Sequence, residues 1–315
     1  MPSMPCAPFG DRTENGAPRR LFALAALAAL LVFAGGTPRA WAQVQERSVS
    51  VGGTQRSYLL YVPLGISGPA PLVMVFHGGG GRAQGIVRST GMNALADSSH
   101  FVVAYPQGVG RRGGRGTWNI GGPNSASDAD DIAFVQAMLA DIERGNPIDR
   151  RRIYATGESM GGVFAYRLAC EMSDTFAAIA PVAATMVEPN CAPRSPVAVL
   201  HIQGTADENI PLNGGTGAMT GMGRDWPSPR GAVDFWARAD GCAPTVSSRQ
   251  DGADTTCRTH TACRSTVEMC TVNGGGHAWP GSEPQRWQQR YNVYVSQSFP
   301  ASQRIWEFFA AHPKQ

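Results

Sequence analysis

The sequence predicts an α/β fold built on a mostly parallel sheet with helices on both faces. Two observations carry that expectation. Short apolar and β-branched runs alternate with segments whose apolar residues recur at three- and four-residue spacing. A glycine-flanked serine also stands where one such strand runs into one such helix, and an acidic residue and a histidine follow it, each just beyond a further strand.

Taken in order, strands are expected at residues 58–62, 72–76, 101–105, 152–156, 197–202 and 267–272, between glycine-rich turns. Helices are expected at 83–96, 130–143, 161–170, 231–239 and 302–311. Ser127 or Asp128 is expected to cap the second helix, placing acidic groups in its positive first turn. Asp130 and Asp131 read as parts of that helix start rather than as groups that act on a substrate. Strands alternating with helices favour a sheet covered on both sides. Beyond residue 43 no repeat, low-complexity linker or change of composition marks a second domain, so 43–315 is expected to be a single domain with no polymer-binding module attached. Two stretches, 208–229 and 280–298, lack periodicity. Long loops of this kind are functional or mobile.

Residues 1–42 stand apart. Arg19 and Arg20 precede an apolar run from Leu21 to Ala34, and Ala40-Trp41-Ala42 offers a small-x-small cleavage site. This is the pattern of a secretory signal, with cleavage expected after Ala42. The apolar run is short of the about 20 residues that a membrane span needs. The expected destination is the periplasm or the medium, with no membrane attachment afterwards.

Losing that segment takes four Arg and two acidic residues from 27 and 24, leaving 23 basic and 22 acidic side chains. So even a balance argues against nucleic acid or an acidic membrane as partner. The cluster Arg111-Arg112-Gly113-Gly114-Arg115 reads as a solvated loop. Cys6 leaves with the signal. Cys170, Cys191, Cys242, Cys257, Cys263 and Cys270 remain, an even set in an exported chain and so a disulfide framework, with fifteen possible connectivities. A zinc site is disfavoured, because no pair is spaced C-x-x-C and His260 has no partner histidine nearby.

Gly157-Glu158-Ser159-Met160-Gly161 fits G-x-S-x-G, in which a serine is exposed on a tight strand-to-helix turn beside a base. In a chain this rich in Gly and Ser, chance alone supplies roughly 0.3 such matches, so the flanking strand and helix carry the weight. Ser159 is the expected nucleophile. His77-Gly78-Gly79-Gly80-Gly81 follows the strand at 72–76, where a backbone free of side chains can approach substrate. Gly79, with Gly78 as second choice, and Met160 are the expected donors to an oxyanion.

The acid and base are expected later in the chain. Asp207 lies just past the strand at 197–202; Glu208 is its nearest rival, while Asp234 and Asp240 sit on or after a helix. Of the histidines beyond Asp207, His260 falls in a cysteine-rich hairpin and His312 near the C-terminus. His277, in Gly274-Gly275-Gly276-His277-Ala278-Trp279-Pro280-Gly281, is the expected base. His77 and His201 precede the acid and read as an oxyanion-loop and a buried-strand residue. Trp118 and Trp279 are candidates for the pocket wall, core packing being the alternative. Trp226 and Trp287 fall in the long loops, as candidates for a rim.

Together His77–Gly81, Trp118-Asn119, Asp130-Asp131, Gly157–Gly161, Gly204–Asp207 and Gly276–Gly281 resemble the polyhydroxybutyrate-depolymerase-like secreted esterases, relatives of the feruloyl and acetyl xylan esterases of carbohydrate esterase family one. The resemblance runs from about Arg56 to Phe309, and its most specific part is the Gly-His-Ala-Trp-Pro-Gly stretch around His277. It implies a three-layer α/β-hydrolase without a large lid, acting on esters with no metal or organic cofactor. It also implies the bridges Cys170–Cys191 and Cys242–Cys263. Cys257 and Cys270 are additional to the family pattern; their pairing with each other is the working assignment, with Cys242–Cys270 and Cys257–Cys263 left open.

The expected activity is carboxylic ester hydrolysis by acyl transfer, on feruloyl-type or short hydroxyalkanoate esters. Its rivals are a depolymerase acting on solid polymer, a serine peptidase or acyltransferase on the same fold, and a non-catalytic binding protein. The expected partner is a small or oligomeric ester; oligomeric state has no signature in the sequence.

Overall fold

The computed structural model describes residues 43–110, 116–121, 125, 127–188, 190–217 and 224–315. Residues 1–42, where a secretory signal is expected, and the basic cluster 111–115 lie outside them. The strands are β1 (Val44–Val51), β2 (Thr54–Tyr61), β3 (Ala70–Phe76), β4 (Val102–Pro106), β5 (Ile148–Glu158), β6 (Ala178–Val182), β7 (Ala198–Gly204), β8 (Gly215–Thr216), β9 (Asp225–Trp226), β10 (Val246–Gln250), β11 (Thr255–His260) and β12 (Val267–Val272). The helices are α1 (Ala83–Thr90), α2 (Met92–Ser99), α3 (Asp131–Gly145), α4 (Met160–Glu171), α5 (Pro229–Ala239), α6 (Arg286–Arg290) and α7 (Ala301–Ala311).

Ten strands form one sheet in the order β1-β2-β4-β3-β5-β6-β7-β12-β11-β10. The stretch from β4 to β12 is parallel, and each end is finished by antiparallel strands. Strands β3, β4, β6 and β7 are buried along their whole length. Such strands read as continuous apolar runs because helices cover both faces of a parallel sheet. One core, holding Phe134, Phe164 and Trp236, lies under α3, α4 and α5; the other, holding Ile86, Ala96 and Phe309, lies under α1, α2 and α7. The three layers follow from that.

The differences from expectation have local causes. The helix expected at 83–96 is two helices, because Gly91 adopts a left-handed φ of 61° and ends α1 while starting α2. Asp130, not Ser127 or Asp128, caps α3, accepting from the Ala133 N–H at 2.9 Å. Asp131 is fully buried and paired with Arg56 at 2.5 Å, accepting also from the Asn119 N–H at 2.7 Å. Strand β6, short, Ala-rich and containing Pro181, and the mostly polar β1, β10 and β11 are strands that the sequence reading does not expect. The two loops hold β8, β9 and α6.

Disulfides join Cys170 to Cys191, Cys242 to Cys263 and Cys257 to Cys270. The last links residues directly opposite each other on β11 and β12. Among the described residues no helix is long and apolar enough to cross a membrane.

Candidate active site

The ends of β3, β5, β7 and β12 deliver the chemistry to one edge of the sheet. Strand β5 stops at Glu158, Ser159 takes the unusual backbone angles φ 56° and ψ −124°, and α4 starts at Met160. A non-glycine residue held there stores about 1–3 kcal/mol, retained when the surroundings leave no alternative. Here they leave none. The Ser159 N–H donates to Val182 O at 2.9 Å, and a Cβ added at Gly161 would lie 2.1 Å from Phe76 O. The backbone packing of β3 against the turn thus forces the small residue.

Asp207 follows β7 by three residues and is almost fully buried. The N–H groups of Asn209 and Ile210 donate to its Oδ1 at 2.8 and 2.9 Å, and Gln203 Nε2 donates to Oδ2 at 2.9 Å. His277, in the loop after β12, presents Nδ1 to both oxygens, at 3.1 and 2.9 Å. That loop is pinned from behind. The Gly276 N–H donates to Tyr294 O at 3.0 Å, and Gln288 Nε2 donates to His277 O at 3.1 Å. Burial disfavours a charge on His277, yet the Asp207 carboxylate, its hydrogen bond and nearby Glu158 outweigh burial and hold the imidazole above its ordinary pKa. Glu158 itself is pushed up by burial, with Asp207 adding to the rise and His277 opposing it. Glu158 and His277 thus lie close enough for each charge to act on the other. Ser159 and His277 are not hydrogen-bonded to each other here; bonds of this type commonly tighten when substrate is bound.

The rival residues lie elsewhere. Glu208 and Asp234 are exposed, Asp240 caps the end of α5, His260 is on β11 and His312 bonds Phe308 O and Thr266. Asp207 is the carboxylate that meets an imidazole among the described residues.

The loop after β3 is fixed through His77. Its Nδ1–H donates to Gly78 O at 2.8 Å, so Nε2 accepts from the Gly108 N–H at 3.0 Å, and Trp118 Nε1 donates to His77 O at 2.8 Å. Burial lowers His77 to about 4, which keeps this tautomer neutral. Gly78 and Gly79 run close under the elbow. A Cβ at Gly78 would stand 3.4 Å from Ser159 Cβ, and one at Gly79 would stand 2.9 Å from Met160 Cγ. The neighbouring amides are engaged, Gly80 with Gly116 O and Gly81 with Gly78 O. The Gly79 N–H has no protein acceptor among the described residues. Met160, as first residue of α4, has no carbonyl of its own helix to bond.

The expected aromatic wall is different. Trp118 is fully buried, stacked on Phe164 and edge-on to Phe76, each at 5.2 Å. Trp279 is also buried, its Nε1 donating to Ser302 Oγ at 3.0 Å. Both fill gaps between the sheet and a covering helix, where so large a ring excludes more water than it would at a pocket mouth. Trp226 is buried too, whereas Trp287 lines a hollow of about 170 Å³ beside His277, with Glu208, Asn209 and Tyr291. A larger hollow, about 540 Å³, opens near Arg56 and the start of α3. None of the candidate acid, base, nucleophile or oxyanion residues lines it, so size does not make it the site. Reading the sequence missed Gln203, Glu158 and this hollow. For Gln203 a signal exists: His201 and Gln203 are polar at alternate positions of an otherwise apolar strand.

Residues 56–208 match the family described as esterase PHB depolymerase. NocK of Nocardia uniformis subsp. tsuyamanensis, a protein designated an esterase, is 32% identical over 271 residues, covering 78% of this chain and 76% of that protein. Feruloyl esterase B of Piromyces equi is 30% identical over 233 residues, 71% of this chain but 42% of that protein, so the chain spans less than half of it. In structure, the acetyl xylan esterase from Aspergillus awamori superposes with a TM-score of 0.55 at 14% identity, over 79% of this chain and 98% of that one. The shared architecture is the α/β-hydrolase fold.

Proposed function

This chain belongs to the PHB depolymerase esterase family and is a serine hydrolase, and from that premise we propose that it cleaves carboxylic esters through Ser159, His277 and Asp207. His277 takes the Ser159 proton as the hydroxyl attacks the ester carbonyl. Asp207 holds the imidazole with Nε2 free and stabilises its charge. The Gly79 and Met160 amides receive the oxyanion, with Gly78 as the alternative donor; losing one such donor costs about 10²–10³ in rate. The alcohol leaves with a proton from His277, and water activated by the same base releases the acid. Each step is thus assigned to side chains, backbone amides and water.

The observation that carries this reading is the buried Asp207–His277 pair, at 2.9 Å, together with a serine held in a strained elbow. Feruloyl-type and short hydroxyalkanoate esters are the proposed substrates, supported by the feruloyl esterase relative and by Trp287 and Tyr291 in the hollow beside the base. The working enzyme is proposed to be the domain 43–315, exported after removal of residues 1–42. Three disulfides fit an oxidising compartment.

Hydrolysis of methyl ferulate, p-nitrophenyl acetate and butyrate, and 3-hydroxybutyrate oligomers tests it. Wild type is expected to turn over at least one of these and Ser159→Ala none, the preferred acyl group naming the substrate class. A folded wild type inert toward all of them, or a Ser159→Ala variant with full turnover, sinks the proposal.

A further inference from the structure

Asp207 stands at the end of a buried chain of polar side chains. Gln203 Nε2 donates to Asp207 Oδ2 at 2.9 Å and to Ile210 O at 2.9 Å, while its Oε1 accepts from the Ala184 N–H at 3.1 Å. Rotating the amide by half a turn would set its NH2 against the Ala184 N–H and its oxygen against two other oxygens, so the orientation is fixed by its neighbours. Gln203 Oε1 lies 3.2 Å from His201 Nε2. That nitrogen must therefore carry the proton, and His201 Nδ1 accepts from the Tyr166 hydroxyl at 2.8 Å. Tyr166, His201 and Gln203 are all fully buried. Every donor points the same way, from Tyr166 to His201 to Gln203 to Asp207.

We propose that Gln203 and His201 are positioning residues of the reaction, holding the Asp207 carboxylate in the one plane that serves His277 Nδ1 and tying it through Tyr166 to the nucleophile helix. The proposal rests on the Ser159–His277–Asp207 reading. Turning the carboxylate about its Cβ–Cγ bond breaks the Gln203 bond, so the chain resists the rotation that would leave the imidazole free to turn. Tyr166 is on α4, seven residues after Ser159, so one rigid helix carries both the nucleophile and the head of the chain. Among the described residues, the charged groups that shift His277 are Asp207 and Glu158, while Glu208 and the phenols of Tyr291 and Tyr294 line the hollow beside it. Donors to Asp207 spread its negative charge; their loss strengthens its hold on a protonated His277 and moves the acid limb of the rate profile to higher pH.

The test compares Gln203→Leu, Gln203→Glu and Tyr166→Phe with wild type, using Ser159→Ala and Asp207→Asn as controls. Competent sites are counted with a serine-directed phosphonate, so rates refer to folded enzyme. For p-nitrophenyl acetate, Gln203→Leu is expected to lower kcat per competent site about 10- to 100-fold with KM changed by less than about twofold. The acid limb of kcat/KM moves up in Gln203→Leu and further in Gln203→Glu, which sets a second carboxylate beside Asp207. Tyr166→Phe, which removes only a hydroxyl, gives a smaller loss and shifts the low-field proton resonance of the Asp207–His277 bond. Gln203→Glu keeps the volume of the side chain and remains readable where Gln203→Leu does not fold. Wild-type kcat and a superimposable pH profile in Gln203→Glu overturn the proposal, and an unchanged low-field resonance in Tyr166→Phe removes His201 from it. Full turnover by Ser159→Ala or Asp207→Asn would instead overturn the triad reading beneath it.

Discussion

His277 and His77 are both buried, and burial by itself disfavours charge on each. They end on opposite sides of the ordinary histidine value because Asp207 and Glu158 act on His277, whereas the hydrogen-bond partners of His77 are backbone and amide groups and it falls to about 4. The proposed base must be neutral to take a proton, so activity is expected to rise as pH passes upward through the raised His277 pKa. Glu158→Gln removes one of the two carboxylates that raise it. The acid limb of kcat/KM is then expected to move to lower pH, measured on p-nitrophenyl acetate across pH 4 to 9; an unmoved or raised limb would show that Glu158 has no hold on the base. Ser159, Asp207 and His277 were legible because their order and their places after strands are written in the chain. Glu158 was not, since the variable position of the elbow motif says nothing about what faces it.

Strand β5, the elbow and α4 act as one element, and its fit against β3 leaves no room at Gly161. With a Cβ 2.1 Å from Phe76 O, Gly161→Ala has to move backbone rather than a side-chain tip. We expect a loss of about 1–3 kcal/mol in stability, and a fall in kcat of at least about tenfold as Ser159 is displaced. Urea unfolding together with phosphonate titration checks both; a variant with wild-type stability and rate would mean that the turn is looser than its packing implies. Helix and strand positions were readable wherever the apolar period was strong. They failed at β1, β6, β10 and β11, where Ala, Pro or mostly polar residues hide the strand, and at Gly91, where one left-handed residue divides a continuous helical pattern.

Across the molecule the three disulfides close loops with separations of 21, 21 and 13 residues, bracing α4 and the sheet edge formed by β10, β11 and β12. Bridges of this span contribute about 3 kcal/mol each by restricting the unfolded chain. Adding a thiol reductant during urea unfolding is therefore expected to lower the midpoint, with Cys257 and Cys270, both fully buried, labelled by a thiol reagent only as the sheet opens. A midpoint indifferent to reductant would remove their part in stability.

The α/β architecture, the three candidate reactive side chains and the glycine loop that approaches them follow from local features: periodicity, turn chemistry and order along the chain. A parallel sheet collects the carboxyl ends of its strands on one edge, so that order is enough to set Ser159, Asp207 and His277 on that edge. The fate of Trp118 and Trp279, and the partners standing behind Asp207, depend instead on which faces meet after packing. Tyr166 and His201 are 35 residues apart, and His277 and Asp207 are 70 apart. Contacts over such distances are set by how helices settle on the sheet, and a linear pattern of apolar residues shows that a ring will be buried without showing what it will be buried against.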